Sequence, residues 1–377
     1  MNTMKKSMVS VICLLAIPLA LGATWTQKRV TYNKGQSMTP AIAVNGPNVY
    51  VVWSDNTPGD SEIFFQKSTT GGVTGRPVKG LTSNTGDSEF PDIAVDGTNV
   101  YVVWSDDTPG NHEIFFIRSN DSGEHWSSAQ RLTDTAGRSS RPRIAVNGPN
   151  IYLVWEDKTS GNCDIYFQKS INSGAAWRSA QRLTNNSGDS WLSSLAVSGS
   201  NVYLAWTDLT PGTEEIYFRK STDGGERWET IKRYSDFGDL SWHPEIAAEG
   251  SNVYLVWSDY SPGTGDIFFL KSADGGTTWQ KVRNITKTEG TTDFGDIAII
   301  GAHIYVVYVD KAYANMEVYI NKSTDAGEHW PITHRFRNNR RGIISFPRLA
   351  VSDKKVYVVW YGDTSGNFEI YFAYSPL

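Results

Sequence analysis

Cysteine is almost missing from this sequence. Of two in 377 residues, Cys13 falls in the apolar N-terminal run and Cys163 stands alone beyond it, which excludes a disulfide within the mature chain. Stability must therefore come from packing. Long hydrophobic runs are equally scarce. The one from Met8 to Leu21, behind Lys5 and Lys6, is interrupted by Pro18 and ends in the small residues Ala20, Gly22 and Ala23. That pattern is a secretory signal peptide, so residues 1–22 are assigned to it and residues 23–377 to a single mature domain. No later stretch approaches the roughly 20 apolar residues a spanning helix needs. The mature chain is thus expected to have no membrane span and to work as a secreted, extracellular or cell-surface protein. A strong charge of either sign is lacking too: 35 basic residues stand against 40 acidic ones. Such a balance gives no footprint for nucleic acid. Nor is there a Gly-rich phosphate loop, a zinc-ligand spacing or a nucleophile elbow, so no cofactor and no metal are expected.

What is present is a repeat. The phrase Val49-Tyr50-Val51-Val52-Trp53-Ser54-Asp55 returns with its aromatic anchor at Trp104, Trp155, Trp206, Trp257, Tyr308 and Trp360, at a spacing of 51 residues five times and then 52. Each unit reads as four strands. A short first strand centred on a small residue (Ile42-Ala43-Val44) precedes the Val-Tyr-Val-Val-Trp strand, which is apolar on both faces and so must be covered on both. The third is Glu62-Ile63-Phe64-Phe65 and its copies, and the fourth is typified by Gln130-Arg131-Leu132-Thr133. Four antiparallel β-rich strands per unit describe a propeller blade. The seventh unit ends after its third strand, at Pro376-Leu377. Its missing fourth strand is Lys28-Arg29-Val30-Thr31, two periods before Gln130-Arg131-Leu132-Thr133. The expected fold is therefore an all-β, seven-bladed propeller of four-stranded antiparallel blades, with the N-terminal strand closing the last one. Such closure leaves no long open edge. The chain is expected to be a monomer.

Between third and fourth strands runs a recurrent turn, Ser119-Asn120-Asp121-Ser122-Gly123-Glu124-His125-Trp126, repeated at Ser221 to Trp228, Ser272 to Trp279 and Ser323 to Trp330. Ser170 to Trp177 has Asn172 for the aspartate, and Ser68 to Gly75 lacks both aspartate and tryptophan. This Ser-x-Asp-x-Gly-x-x-Trp pattern resembles the Asp box of the sialidase-like superfamily of propellers. The resemblance implies that these turns lie on the face away from any active site, and that the fold alone does not separate enzymes from binding proteins.

A site is then expected on the opposite face, which carries the loops from second to third strand and those entering each first strand. The loops from second to third strand are nearly uniform, and their carboxylates, such as Asp55 and Glu62, are expected to build the blade. The residue that begins the first strand instead varies: Ala41, Asp92, Arg143, Ser194, Glu245, Asp296, Arg348. Near-identical units that differ at one place differ where the surface meets something else. Of 14 tryptophans, six anchor second strands, five sit in turns and Trp25 precedes the closing strand, leaving Trp191 and Trp242 at matching positions of adjacent blades four and five. As exposed rings beside His243, Glu245 and Asp296 they would suit a sugar, whose apolar faces stack on indoles and whose hydroxyls bond to carboxylates. The bland alternative is that the rings plug the channel mouth. Asp92, Arg143 and Arg348 complete the candidate binding set, although Asp92 with Arg143 and Asp296 with Arg348 are equally expected to neutralise each other as neighbours.

The resemblance also implies what a sialidase would need: three arginines on the substrate carboxylate, a Tyr/Glu nucleophile pair, an aspartate acid and a Phe/Tyr-Arg-Ile-Pro motif. Blade one reads Thr39-Pro40-Ala41-Ile42 instead, while Arg141-Pro142-Arg143-Ile144 and Phe346-Pro347-Arg348-Leu349 invert the order. Sialidases of the superfamily also have six blades. For hydrolysis of another kind, Glu245 and Asp296 are the adjacent-blade acidic pair and the catalytic candidates, since retaining and inverting glycosidases both use two carboxyls. Three readings follow: binding of a carbohydrate or other surface ligand on this face, glycoside hydrolysis, and a scaffold for protein partners.

Overall fold

A computed structural model describes residues 24–377 apart from 237, 287, 289, 312–315, 337–341 and 364–365; the segment read as a signal peptide lies outside them. The described residues form 28 strands, numbered in chain order, and no helix. They fall into seven four-stranded antiparallel sheets. Blade one is β2 (Ser37–Asn45), β3 (Asn48–Asp55), β4 (Glu62–Ser68) and β5 (Lys79–Gly80), in that order. The first strands of later blades are β6 (Ser88–Asp96), β10 (Ser139–Asn147), β14 (Ser190–Ser198), β18 (Ser241–Glu249), β22 (Thr292–Ile300) and β26 (Ile344–Val351). Each contacts the next, and β26 contacts β2, so these seven strands line a closed channel.

The ring closes as the chain's missing strand predicts. β1 (Thr26–Arg29) pairs antiparallel with β28 (Glu369–Pro376), Thr26 opposite Tyr374 and Arg29 opposite Tyr371. Arg29 forms an ion pair with Glu369, whose side chain is fully buried. Trp25 adds a stacked ring on His334 and an edge contact to Phe336 of blade six.

Packing follows the repeat. Each second-strand anchor faces an aromatic directly opposite on the third strand: Trp53 lies over Phe64 at 6.2 Å and Trp206 over Tyr217 at 5.9 Å, and the five tryptophans from Trp53 to Trp257 are essentially buried. Cores form between blades, as where Tyr152, Phe167 and Leu183 of blade three meet Val202, Leu204 and Trp206 of blade four. Because each interface needs both neighbours, no blade is a folding unit by itself.

The recurrent turns do a structural job. In the second copy Ser119 Oγ accepts from Gly123 N, Asp121 Oδ1 accepts from His125 N, and Trp126 Nε1 donates to Gly123 O. Gly123 has φ 86°, and a Cβ there would lie 2.6 Å from the Phe65 ring of the preceding blade, so glycine is required twice over. The tryptophan then meets that same ring edge-on at 5.1 Å. Asn172 keeps the bond to Ala176 N, and Thr70 keeps its counterpart to Thr74 N, so both degenerate copies still turn.

The tryptophan has no such stand-in at Gly75, whose neighbour across the junction is Phe372 of blade seven in a small cleft. A Cβ at Gly75 would meet nothing firmer than the end of the Gln66 side chain. Gly75→Trp is therefore expected to tighten the ring closure by about 0.5–1.5 kcal/mol, the worth of an aromatic pair. Thermal melting checks this, and an unchanged or lower midpoint would show that Tyr374, 6.0 Å from Phe372, already serves that ring.

The repeated carboxylates also build the blade. Asp106 Oδ2 accepts from Ser88 Oγ at 2.7 Å and Oδ1 from Thr108 N at 2.9 Å, with equivalent bonds at Asp55, Asp157, Asp208 and Asp259. The second acid holds the fourth strand, as Asp164 does through Thr184 Oγ1 at 2.8 Å.

Candidate functional site

All seven first strands break register at the same place, between Met38 and Ala41 in β2 and at the equivalent step in the others. Inside the break sits a residue with positive φ: Thr39, Phe90, Arg141, Leu192, His243 and Phe346, between 47° and 53°. Side chains other than glycine rarely adopt this conformation, and the strain it stores collects at functional places. The bulge turns these residues inward. They line a cavity of about 80 Å³ at the mouth of the channel, on the face opposite the Ser-x-Asp-x-Gly-x-x-Trp turns.

Below this rim lies a belt made by the variable position itself, Ala41, Asp92, Arg143, Ser194, Glu245, Asp296 and Arg348, which separates the mouth from a second cavity of about 150 Å³ further down the channel. Six of the eight site residues expected from sequence thus come together here: Asp92, Arg143, His243, Glu245 and Arg348 line the mouth, and Asp296 lines the cavity beneath.

Their pairing differs from neighbour neutralisation. Arg143 of blade three and Arg348 of blade seven both reach across the channel to one oxygen of Glu245 in blade five, while Ser194 Oγ holds the other at 2.6 Å. Sequence separation around the ring is a poor guide to this contact, because guanidinium groups span the channel that separates their blades. Blades two, four and six also each bond the blade that follows. Asp92 accepts from Ile144 N at 2.9 Å, Ser194 from Ile246 N at 3.1 Å and Asp296 from Leu349 N at 2.7 Å, each latching the next blade's strand.

The electrostatics follow. Burial alone would raise the Glu245 carboxyl, but the two guanidinium groups outweigh it and hold it well below the usual range. Burial, reinforced by Glu245, pushes Asp296 up, and burial pushes Asp92 up against the pull of Arg143. His243 is lowered to about 3 by burial, and the nearby arginines add to the shift, so its imidazole is neutral across the ordinary range.

Trp191 and Trp242 are not exposed platforms, which corrects the expectation for them. Both are half-buried, lie on the outer side of the bulge opposite Thr207 and Ser258, and are absent from the residues lining the mouth. Trp242 instead backs His243, ring centroids 4.6 Å apart, and meets Tyr260 edge-on. The aromatic surface at the mouth comes from residues the sequence reading passed over. Phe90 lies under the Arg141 guanidinium at 5.0 Å, and Phe346 stacks on Tyr361 at 6.0 Å and faces His243 at the same separation. A signal existed: the residue before the recurrent proline, or before Ser193 in blade four, changes in kind from blade to blade, as Thr39, Phe90, Arg141, Leu192, His243 and Phe346. Only the bulge reveals that it points into the channel.

No protein-family model matches the chain, and no curated protein does. Solved structures do. A PL25 polysaccharide lyase, an ulvan lyase bound to -[GlcA(1-4)Rha3S]-, is similar with a TM-score of 0.64 at 11% identity, over 91% of this chain and 95% of that one. The NanB sialidase of Streptococcus pneumoniae, as a point mutant, gives 0.50 at 10% identity over 96% and 71%. The alpha-L-arabinofuranosidase Arb93A of Fusarium graminearum, as a point mutant in complex with an iminosugar inhibitor, gives 0.54 at 12% over 91% and 93%. At such identities the likeness is one of architecture alone, that of a β-propeller whose four-stranded blades close into a ring, as the repeat predicts.

Proposed function

We propose that the chain is a glycan-binding propeller whose channel mouth receives a sugar, working as a monomer outside the cytoplasm once residues 1–22 are removed. One observation carries this reading: the bulges force Phe90, His243 and Phe346 into a mouth that also holds Arg141, Arg143 and Arg348. Rings offer apolar faces to a pyranose, and guanidinium groups offer fixed donors to its oxygens. Three arginines against the two acids Asp92 and Glu245 make the mouth positive in a chain whose formal net charge is −5. Trp242 would act by bracing His243, and Trp191 by filling the same place in blade four. The structural neighbours act on glycans, which agrees with this reading.

The test is a glycan array probed with the mature chain and with a His243→Ala, Phe346→Ala double variant. Retention on some glycans should fall at least about tenfold in the variant, the loss of roughly 1.4 kcal/mol or more of contact. Equal retention by both proteins would remove the mouth from consideration and favour a protein-interaction scaffold.

A second reading, cleavage, would need a proton acceptor at the mouth, and His243 lies there beside three arginines, but burial lowers its imidazole to about 3 and leaves it a weak base. Hydrolysis by Glu245 and Asp296 has weaker support: Glu245 is bonded through both oxygens to Arg143, Arg348 and Ser194, and Asp296 through both to Ile297 N and Leu349 N. Loss of printed glycan on the same array would mark cleavage.

A further inference from the structure

The position after each bulge residue is proline in five blades, Pro40, Pro91, Pro142, Pro244 and Pro347, glycine at Gly295, and serine only at Ser193. A position filled by proline or glycine elsewhere has no structural need of a hydroxyl. Yet Ser193 is 4% exposed, lines the mouth, and its Oγ has no hydrogen-bond partner among the described residues. Leaving a buried hydroxyl unsatisfied costs about 1–3 kcal/mol, which a purely structural serine would not retain when proline fits the same site.

The surroundings say what would satisfy it. Glu156, buried on β11 (Asn150–Asp157), takes Leu192 N on one oxygen at 2.7 Å and Arg141 Nη1 on the other at 3.3 Å. This carboxylate therefore ties the guanidinium to the residue next to Ser193. Glu156 is itself peculiar to blade three, where the equivalent positions are Ser54, Ser105, Thr207, Ser258, Val309 and Tyr361. Arg141 is braced from below by Phe90 and remains partly exposed, and of its five N–H donors one is taken by Glu156. The mouth is thus two-sided, with a hydroxyl and a guanidinium on blades three and four, and the rings of His243 and Phe346 across it.

We infer that Ser193 and Arg141 form an oxyanion subsite that fixes the orientation of an acidic sugar, its carboxylate or sulfate ester held by the serine hydroxyl and the guanidinium, its ring against His243 and Phe346. The inference rests on the glycan-binding reading and names the ligand's chemical class. Glu156 is a positioning residue that aims Arg141.

Calorimetric titration of the mature chain with glucuronate, glucose 6-sulfate and glucose, beside Ser193→Ala and Phe346→Ala, tests it. Ser193→Ala should weaken the acidic sugars about tenfold, as loss of one charge-assisted hydrogen bond does, leave glucose unchanged, and keep or raise the melting temperature. Whichever acidic sugar shows the change identifies carboxylate or sulfate as the source. Unchanged affinity in Ser193→Ala with binding abolished in Phe346→Ala would overturn the subsite and spare the mouth. Affinity and melting temperature falling together would reduce Ser193 to a structural residue. No binding by the unaltered chain, or none lost in Phe346→Ala, would overturn both readings.

Discussion

Glu245→Gln is expected to destabilise the propeller by about 3–5 kcal/mol, the range seen when one partner of a buried ion pair is removed. Glu245 is 8% exposed and takes both Arg143 and Arg348 on one oxygen, so the neutral amide leaves two channel arginines short of their counter-charge. Denaturant unfolding measures the loss directly. A companion variant separates charge from packing: with Glu245, Arg143 and Arg348 all replaced by methionine, no unpaired ion remains, and most of the stability should return. Equal destabilisation in both would mean that the network matters for shape rather than charge.

The same substitution has a signature in pH. Glu245 titrates below its ordinary range when folded, so its stabilising contribution is fully present above the unfolded carboxylate value of about 4.3 and is lost as pH falls through the lower folded value. Asp296 and Asp92 carry the opposite sign. Their folded values are raised, so the stability tied to their protonated forms is full below about 3.9 and is lost as pH rises through the folded values. The gap between native chain and Glu245→Gln should therefore be widest above about pH 5 and close in acid. A gap that stays constant with pH would deny that ionised Glu245 is the stabilising species.

Deleting residues 24–31 should have the largest effect of all. The backbone edge of β28 from Tyr371 to Tyr374 would be unpaired, and Glu369 would lose Arg29 while remaining in a fully buried position, which alone costs about 3–5 kcal/mol. An open strand edge next to exposed core is a template for pairing between chains. The expected product elutes in size-exclusion chromatography as larger species than the intact chain and melts without a cooperative transition, and a synthetic peptide of residues 24–34 added in excess should restore both the intact chain's elution and its transition. A truncated chain that elutes as the intact one does and melts cooperatively would show that the seventh blade is complete with three strands.

The repeat alone dictates the architecture. A period of about 51 residues, strands apolar on both faces and a fourth strand displaced from the end of the chain to its start leave a closed ring as the arrangement that covers every face, because these are local patterns repeated seven times. It also located the belt, since Asp92, Arg143, Ser194, Glu245, Asp296 and Arg348 vary where their neighbours do not. Tertiary structure alone decided two things. It chose the partners within the belt: Arg143 and Arg348 converge on Glu245 because long side chains meet across a channel whose width no linear spacing encodes. And it replaced Trp191 and Trp242 with Phe90, Arg141 and Phe346, beside the expected His243, as the lining of the mouth. A break in register moves each side chain to the other face of its strand, and a bulge of this kind depends on how the strand leans against its neighbours rather than on the residues it contains.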